Sequence, residues 1–288
     1  MASKKKKKKA KNTRIAAICA IVAIVAAGGA GTAFALKGQH SSQPQEEPQT
    51  STEERASVPE DTAAPVDPAS VSCGMVNGMS ARAMTIREHY NADYVGWVTV
   101  PNTEVDYPIV VGEDNSYYLN HGFDHKDYEP GTIFMDFRDR FGYDETDQSE
   151  NIILYGHNRA DKTMFGSLRV YRQDLDFYHD APFIELESNY KKYTYVIFAL
   201  PIADGKATAT WRFWDAEELD SQQAFDEFVQ NARERSLVDI PVDVKYGDKL
   251  VTLSTCYSDA DDSRFLVIGR RLRPGETAES FSKAFARE

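Results

Sequence analysis

Cysteine is scarce in this chain of 288 residues, which contains three. A fold stabilised by a disulfide framework normally carries more, and no Cys and His residues recur at zinc-binding spacing. The scarcity argues against a disulfide scaffold and a structural zinc site. Cys19 lies in an apolar segment, so a single Cys73–Cys256 bridge is the one pairing left open.

Basic residues are in deficit everywhere except at the N-terminus. Residues 1–36 carry eight basic and no acidic side chains, and the whole chain has a net charge of −12. Residues 37–288 therefore carry −20, and they contain no basic patch. Because nucleic-acid binding depends on positive charge facing the phosphates, we expect no nucleic-acid partner.

A long uncharged run follows the basic N-terminus. Residues 15–36 contain no charge, and at about 1.5 Å per residue they are long enough to span a bilayer core of about 30 Å. The basic block at 1–14 predicts a cytoplasmic N-terminus, a single-pass signal anchor at 15–36 and an extracellular remainder. The alternative is a signal peptide cleaved near Ala33-Phe34-Ala35, which also puts the remainder outside the membrane.

Residues 37–70 contain few large apolar side chains and are rich in Gln, Glu, Ser, Thr, Ala and Pro. Such a segment cannot bury enough surface to offset the entropy of ordering, so it predicts a disordered extracellular stalk. Residues 71–288 are long enough for one well-buried domain. We detect no internal repeat.

Short apolar runs at close spacing indicate a mainly β domain, either a barrel or a sandwich, with helices in the connections. The clearest helical pattern has its apolar residues at Leu219, Phe225, Phe228 and Val229. The predicted strands cover 94–100, 105–111, 132–137, 151–155, 183–186, 193–200, 250–255 and 265–272, and the predicted helices cover 75–90, 164–171 and 216–235.

Three residues form a candidate catalytic set. Cys256 ends a β-branched apolar run, His157 follows the short run 151–155, and Arg264 opens the strand after the cysteine loop. A thiol attacks as the thiolate, and a nearby imidazole both stabilises that thiolate and donates a proton to a departing amine. A guanidinium and a backbone N–H, for which Tyr257 is the natural donor, can stabilise the oxyanion that forms.

The sequence motifs around these residues resemble those of the sortase family, and of class B in particular. Thr252-Leu253-Ser254-Thr255-Cys256 followed by an Arg resembles the family's cysteine signature, and the resemblance covers about 90–273. The other class B words are Asp106–Val110, Asp114–Leu119, Ile133–Asp136, Tyr155–Asn158 and Thr163–Phe165.

The resemblance implies an eight-stranded barrel with an N-terminal helix and a helix in the loop before the cysteine strand. It further implies a Gram-positive, membrane-anchored transpeptidase. Cys256 would attack the C-terminal sorting signal of a secreted protein, and the thioacyl enzyme would pass to an amine of a peptidoglycan precursor or to a pilin Lys. His157 would be the acid/base and Arg264 the oxyanion or substrate clamp, with Arg270 and Arg271 as weaker candidates.

By the same resemblance, Asn115, Leu119 and Ser254 would line the substrate groove. No cofactor is expected. The alternatives are an extracellular cysteine protease or hydrolase and a non-catalytic stalked surface protein. The acidic loops 136–147 and 259–262 could hold calcium, but they lack EF-hand spacing, so we expect no metal.

Overall fold

The order of strands and helices can be followed from Met75 onward in the computed structural model, which describes residues 75–76, 78–215, 219–256 and 262–285. The strands are β1 (Met75–Val76), β2 (Met79–Ser80), β3 (Tyr94–Thr99), β4 (Asp106–Val110), β5 (Phe134–Met135), β6 (Asn151–Tyr155), β7 (Phe183–Ser188), β8 (Lys192–Ala199), β9 (Ile202–Asp204), β10 (Leu250–Cys256) and β11 (Ser263–Arg271). The α-helices are α1 (Ala81–His89), α2 (Val170–Gln173), α3 (Gln222–Glu234) and α4 (Ala278–Phe285). Short 3₁₀ segments cover Tyr117–Leu119, Glu145–Asp147, Gly166–Arg169, Phe177–His179 and Phe213–Asp215.

Eight of the strands close into a barrel in the order β10-β6-β5-β4-β3-β7-β8-β11, and pairing of β11 with β10 completes the circle. β9 adds to the first residues of β11, while β1 and β2 form a separate hairpin. Closure leaves no free edge between the eight strands. The predicted eight-stranded barrel is confirmed, with α1 as its N-terminal helix and α3 in the connection before β10.

A single large cluster of buried apolar residues fills the barrel and extends under α3. Burial of each large aliphatic side chain stabilises the fold by about 1.5–3 kcal/mol relative to exposure. The cluster includes Val98, Ile109, Ile153, Leu186, Ile197, Phe225, Phe228, Val251, Leu253 and Phe265. The apolar stripe predicted for the helix before the cysteine strand therefore packs on the barrel.

Capping residues decide where the first and third helices begin. α1 begins at Ala81 because Ser80 Oγ accepts a hydrogen bond from Ala83 N at 3.1 Å, and the preceding residues form a hairpin rather than the predicted helix from 75. In the same way, Ser221 Oγ accepts from Ala224 N at 3.2 Å, so α3 begins at Gln222, within the predicted range 216–235. Leu219 is buried but precedes the helix.

Two other predicted elements are shorter or different in kind. The strand predicted at 132–137 is reduced to Phe134–Met135, since a turn begins at Asp136, whose carbonyl accepts from Asp139 N at 3.0 Å. The helix predicted at 164–171 is a 3₁₀ segment continued by α2, because Met164 has a φ of 53° and cannot be part of a right-handed helix. The apolar residues of this segment are buried as the pattern required.

The predicted N-terminal segments 1–14, 15–36 and 37–70 lie outside the described residues, as does the start of the domain predicted for 71–288. Of the helices that the structure describes, none has both the length and the apolar character needed to cross a bilayer.

Candidate active site

Parallel pairing brings the ends of β6 and β10 together. Ser254 lies opposite Tyr155 in this pairing, and Gly156 N donates to Ser254 O at 3.1 Å. Two residues beyond that pair, one strand reaches His157 and the other reaches Cys256. Parallel strands end at the same edge of a sheet and are joined by a long crossover connection. Two residues nearly a hundred positions apart in sequence therefore lie at one end of the barrel.

Antiparallel pairing brings the third candidate to the same end. Arg264 is the Cα partner of Cys256 between β10 and β11, and directly opposed residues in such a pair lie about 4.5–5.5 Å apart. Arg264 is half-buried, and its Nη1 donates to the carbonyl of Ser263 at 3.1 Å. Tyr257, the predicted backbone donor, lies outside the described residues.

A pocket of about 280 Å³ opens where these strand ends meet. Five of the predicted site residues contribute to its wall: His157, Arg264, Asn115, Leu119 and Ser254. The remaining lining residues are Phe134, Arg138, Tyr155, Gly156, Trp214 and Thr255. The roles predicted for these residues stay predictions, but the structure brings them together around one pocket.

A main-chain carbonyl holds the imidazole of His157. His157 Nε2 lies 2.7 Å from the carbonyl oxygen of Leu119, which can only accept, so this nitrogen carries a proton. The main chain of His157 is fixed as well, because Phe165 N donates to its carbonyl at 3.0 Å. The ring contact leaves Nδ1 as the nitrogen able to accept a proton in the neutral imidazole.

The buried carboxylate of Asp136 organises one wall of the pocket. Asp136 Oδ2 accepts from Asn115 Nδ2 at 2.8 Å and from Tyr155 Oη at 2.9 Å, and Oδ1 accepts from Arg138 Nε at 2.9 Å. Arg138 also donates to the carbonyl of Trp214, which ties the wall to the segment before α3. One carboxylate therefore positions side chains from three separate parts of the chain.

This network shifts the pKa values of its members in opposite directions. Burial alone would raise the pKa of Asp136, but hydrogen bonds from Arg138, Asn115 and Tyr155 outweigh it and hold the pKa below the usual 3.8. Burial, followed by the nearby charge of Asp136, raises the pKa of Tyr155 well above its usual range. At neutral pH, Asp136 is an acceptor only and Tyr155 a donor.

Asp136→Asn is expected to destabilise the fold by about 2 kcal/mol, because charge-assisted hydrogen bonds are replaced by weaker ones. The pKa of Asp136 is lower in the folded state than its usual 3.8. The carboxylate therefore stabilises the fold above pH 3.8, and this stabilisation is lost as the pH falls through the folded-state pKa. Thermal unfolding at several pH values should show a constant difference from wild type above about pH 5, shrinking below pH 4.

Asp124→Asn is the control for this comparison, because Asp124 pairs with Lys126 on the exposed surface and such pairs contribute little to stability. Equal losses from the two substitutions, or a difference for Asp136→Asn that does not shrink as the pH falls below 3.8, would contradict the network.

Two weaker sequence candidates are engaged elsewhere. Arg270 is buried and ion-paired to Glu276. Arg271 donates to Gln148 Oε1 at 2.6 Å and to Tyr195 Oη at 2.7 Å. Neither lines the pocket, so Arg264 is the arginine of β11 placed at the site.

Sequence reasoning missed several residues that line the wall or support it from behind. Tyr155 and Asp136 stand inside words already matched to a family, Tyr155-Gly156-His157 and Ile133–Asp136, so position in a motif was the available signal. Arg138 and Trp214 lie in polar or mixed segments with no pattern to single them out. Their part in the wall depends on a contact across 76 positions of sequence.

The acidic loops also take definite positions. Asp139 Oδ2 accepts from the main-chain N of Ile153 at 2.6 Å, so this residue of the 136–147 loop supports β6. Among the residues that the structure describes, no three His, Cys, Asp or Glu side chains are grouped to hold a metal ion. The loop 259–262 is described at Asp262 alone.

Comparison with known proteins gives one consistent result. The family model of the sortase domain matches residues 98–272. Sortase B of Listeria monocytogenes is 34% identical over 186 residues, an alignment that covers 65% of this chain and 72% of that protein.

Solved structures agree. Sortase B of Bacillus anthracis in complex with AAEK1 superposes with a TM-score of 0.60 at 28% identity, covering 72% of this chain and 91% of that one. A Staphylococcus aureus sortase B–substrate complex gives a TM-score of 0.58 at 28% identity, covering 67% and 85%.

Proposed function

Because this chain belongs to the sortase family, class B, and is therefore a cysteine transpeptidase of the cell wall, we propose that it joins secreted proteins to an amine acceptor through Cys256. The observation that carries the proposal is the pocket at the end of the barrel. It is lined by His157 and Arg264, and the last residue of β10 is Cys256.

The proposed reaction has two acyl transfers. The thiol proton of Cys256 passes to His157, and sulfur attacks the carbonyl carbon of the scissile peptide bond. The oxyanion is stabilised by Arg264 and by the backbone N–H of Tyr257. The C–N bond then breaks, His157 returns the proton to the departing amine, and a thioester remains on Cys256. An incoming amine attacks the thioester carbonyl and loses a proton to His157. The C–S bond then breaks, and His157 returns the proton to sulfur, which regenerates the thiol.

The donor substrate in this proposal is the C-terminal sorting signal of a secreted protein. A solved Staphylococcus aureus sortase B contains its substrate, and that chain shares this fold. The pocket offers Leu119 as an exposed apolar contact. Ser254 also lines the pocket, and its buried Oγ has no hydrogen-bond partner among the described residues. Both support a role for the wall in binding an extended peptide.

The acceptor and the location complete the proposal. The acceptor is an amine of a peptidoglycan precursor or, in pilus assembly, a pilin Lys. The basic residues 1–14 and the uncharged run 15–36 support a single-pass anchor with a cytoplasmic N-terminus. The stalk 37–70 would hold the catalytic domain on the extracellular side, where both substrates are found.

The test is to incubate the detergent-solubilised full chain with a small library of sorting-signal peptides and an amine, followed by mass spectrometry. We expect a thioacyl adduct on Cys256 and a peptide ligated to the amine. Release of hydrolysed peptide at the same rate with and without amine would identify a hydrolase instead. If no peptide is cleaved and Cys256 resists a thiol probe, the proposal fails.

Arg264→Lys is expected to lower kcat by about 10²–10³-fold, because the lysine keeps the charge but loses the planar donor geometry of the guanidinium. Steady-state kinetics with the best peptide measures the effect. Arg87→Lys is a matched control. Arg87 lies on α1, is also half-buried, and donates to a main-chain carbonyl, that of Tyr94. A kcat for Arg264→Lys within twofold of the control would remove Arg264 from the oxyanion site.

A further inference from the structure

The carbonyl that holds His157 belongs to a short, tightly held turn. Leu119 is the last residue of the 3₁₀ segment Tyr117–Leu119, and its oxygen lies 2.7 Å from His157 Nε2. Among the described residues, no carboxylate or side-chain amide contacts the ring of His157. In a Cys–His site a third group normally orients the imidazole, and here the carbonyl occupies that position.

Tyr118 fastens this turn to the body of the domain. Its side chain is buried, and its hydroxyl donates to Asp93 Oδ2 at 2.7 Å and accepts from Asn91 Nδ2 at 3.1 Å. On the main chain, Thr132 N donates to the carbonyl of Tyr118 at 3.0 Å. The turn is therefore held on both sides, so the Leu119 carbonyl cannot move freely to follow the imidazole.

A glycine packs directly against the carbonyls of this turn. Gly131 has a φ of +65°, and a Cβ built on it would lie 2.5 Å from the oxygen of Tyr118 and 2.7 Å from the oxygen of Leu119. Real Cβ atoms do not approach an atom closer than about 3.0 Å, so a side chain at 131 requires the separation from the Tyr118 oxygen to grow by about 0.5 Å and that from the Leu119 oxygen by about 0.3 Å. The absence of a side chain at 131 is a condition for the observed contact with His157.

We propose that the main-chain carbonyl of Leu119 is the group that orients His157, and that Gly131 is the positioning residue that gives this carbonyl its place. The proposal rests on the proposed transpeptidase function for its kinetic consequence alone. The carbonyl fixes the proton of the neutral ring on Nε2. Nδ1 is then the nitrogen that takes the proton of the Cys256 thiol and returns it to the departing amine, while Nε2–H stays on Leu119 throughout.

The direct test measures which ring nitrogen of His157 carries the proton, and it does not depend on turnover. In the full chain labelled with ¹⁵N-histidine, at a pH where the ring is neutral, the ring shifts of His157 should show a proton on Nε2. Loss of one signal set in His157→Ala assigns it among the six histidines. A wild-type His157 protonated on Nδ1, or averaged between both tautomers, overturns the proposal whether or not any sorting peptide is turned over.

Gly131→Ala tests the positioning residue. We expect the tautomer preference to be lost and kcat to fall about 10–100-fold with KM within twofold, because a misplaced group lowers the rate of the chemical step and not the binding of peptide. Gly247→Ala is the matched control: Gly247 has a φ of +93°, and nothing lies within 4 Å of its added Cβ. It carries the same left-handed backbone strain without the clash, so both readouts should stay at wild type.

Two results contradict the role of Gly131. One is a wild-type tautomer signature and kcat in Gly131→Ala; the other is an equal loss in both glycine variants. If Gly131→Ala does not fold, Tyr118→Phe replaces it, since it removes the hydroxyl bonds to Asp93 and Asn91 and keeps the ring. It should shift the tautomer signals of His157 in the same direction by a smaller amount, and unchanged signals would overturn the proposal.

Discussion

Cys256→Ala is expected to reduce transfer of a sorting-signal peptide to an amine by at least about 10⁴-fold, because the covalent intermediate can no longer form. The reaction needs a sulfur nucleophile, and no other described residue at the pocket can form the thioester. Thiols attack carbonyls far better than the hydroxyls of Ser254 or Thr255, neither of which is activated by a base. Mass spectrometry of the acyl adduct and of the ligated product measures the loss.

The same substitution should leave the fold intact. Residues Leu250 to Ser254 of β10 pair with β6 on one side and with β11 on the other, and Cys256 pairs with Arg264 of β11. These pairings use main-chain groups, which an alanine at 256 keeps. We therefore expect the thermal midpoint of Cys256→Ala to lie within a few degrees of wild type. Loss of the folded state together with activity would indicate a structural cysteine.

Cys73→Ser is the control for the nucleophile and for the one possible disulfide. Cys73 lies outside the described residues, at the border of the predicted stalk. If Cys256 acts as a free thiol, the serine variant should transfer peptide at the wild-type rate. An inactive Cys73→Ser protein, or a bridge between the two cysteines found by peptide mapping, would contradict a free nucleophile.

His157→Ala is expected to lower kcat by about 10²–10⁴-fold, the usual contribution of a positioned acid/base. Two steps need its proton, formation of the thiolate and departure of the amine. The half-buried ring lines the pocket and is held by Leu119, so its loss also removes the group that defines one side of the wall. Steady-state kinetics and the rate of Cys256 alkylation separate the two steps.

His89→Ala is the control, because His89 is exposed in the last turn of α1 and does not line the pocket. We expect it to retain wild-type kinetics. Added imidazole should restore part of the activity of His157→Ala, since a small base can enter the space left by the ring. Normal turnover in His157→Ala would assign proton transfer to another group.

The sequence carried the chemistry and most of the strands. The run 151–155 is matched residue for residue by β6, because its apolar residues are buried from solvent and its length suits one strand. Cys256, His157 and Arg264 stood out because their residue types suit acyl transfer and because the words around them are specific. The ends of the helices were predicted less accurately than the strands. Ser80 and Ser221 act as helix caps only through their position in the folded chain.

The tertiary structure alone decided which distant parts of the chain are in contact. The closed barrel sets the register of Ser254 against Tyr155, and with it the meeting of the histidine and cysteine segments. The buried carboxylate of Asp136 gains its partners from three separate segments. The hold on His157 comes from a main-chain carbonyl, and every residue has one. Which carbonyl reaches the ring depends on backbone angles and on the missing side chain of Gly131, and neither is encoded by residue type or spacing alone.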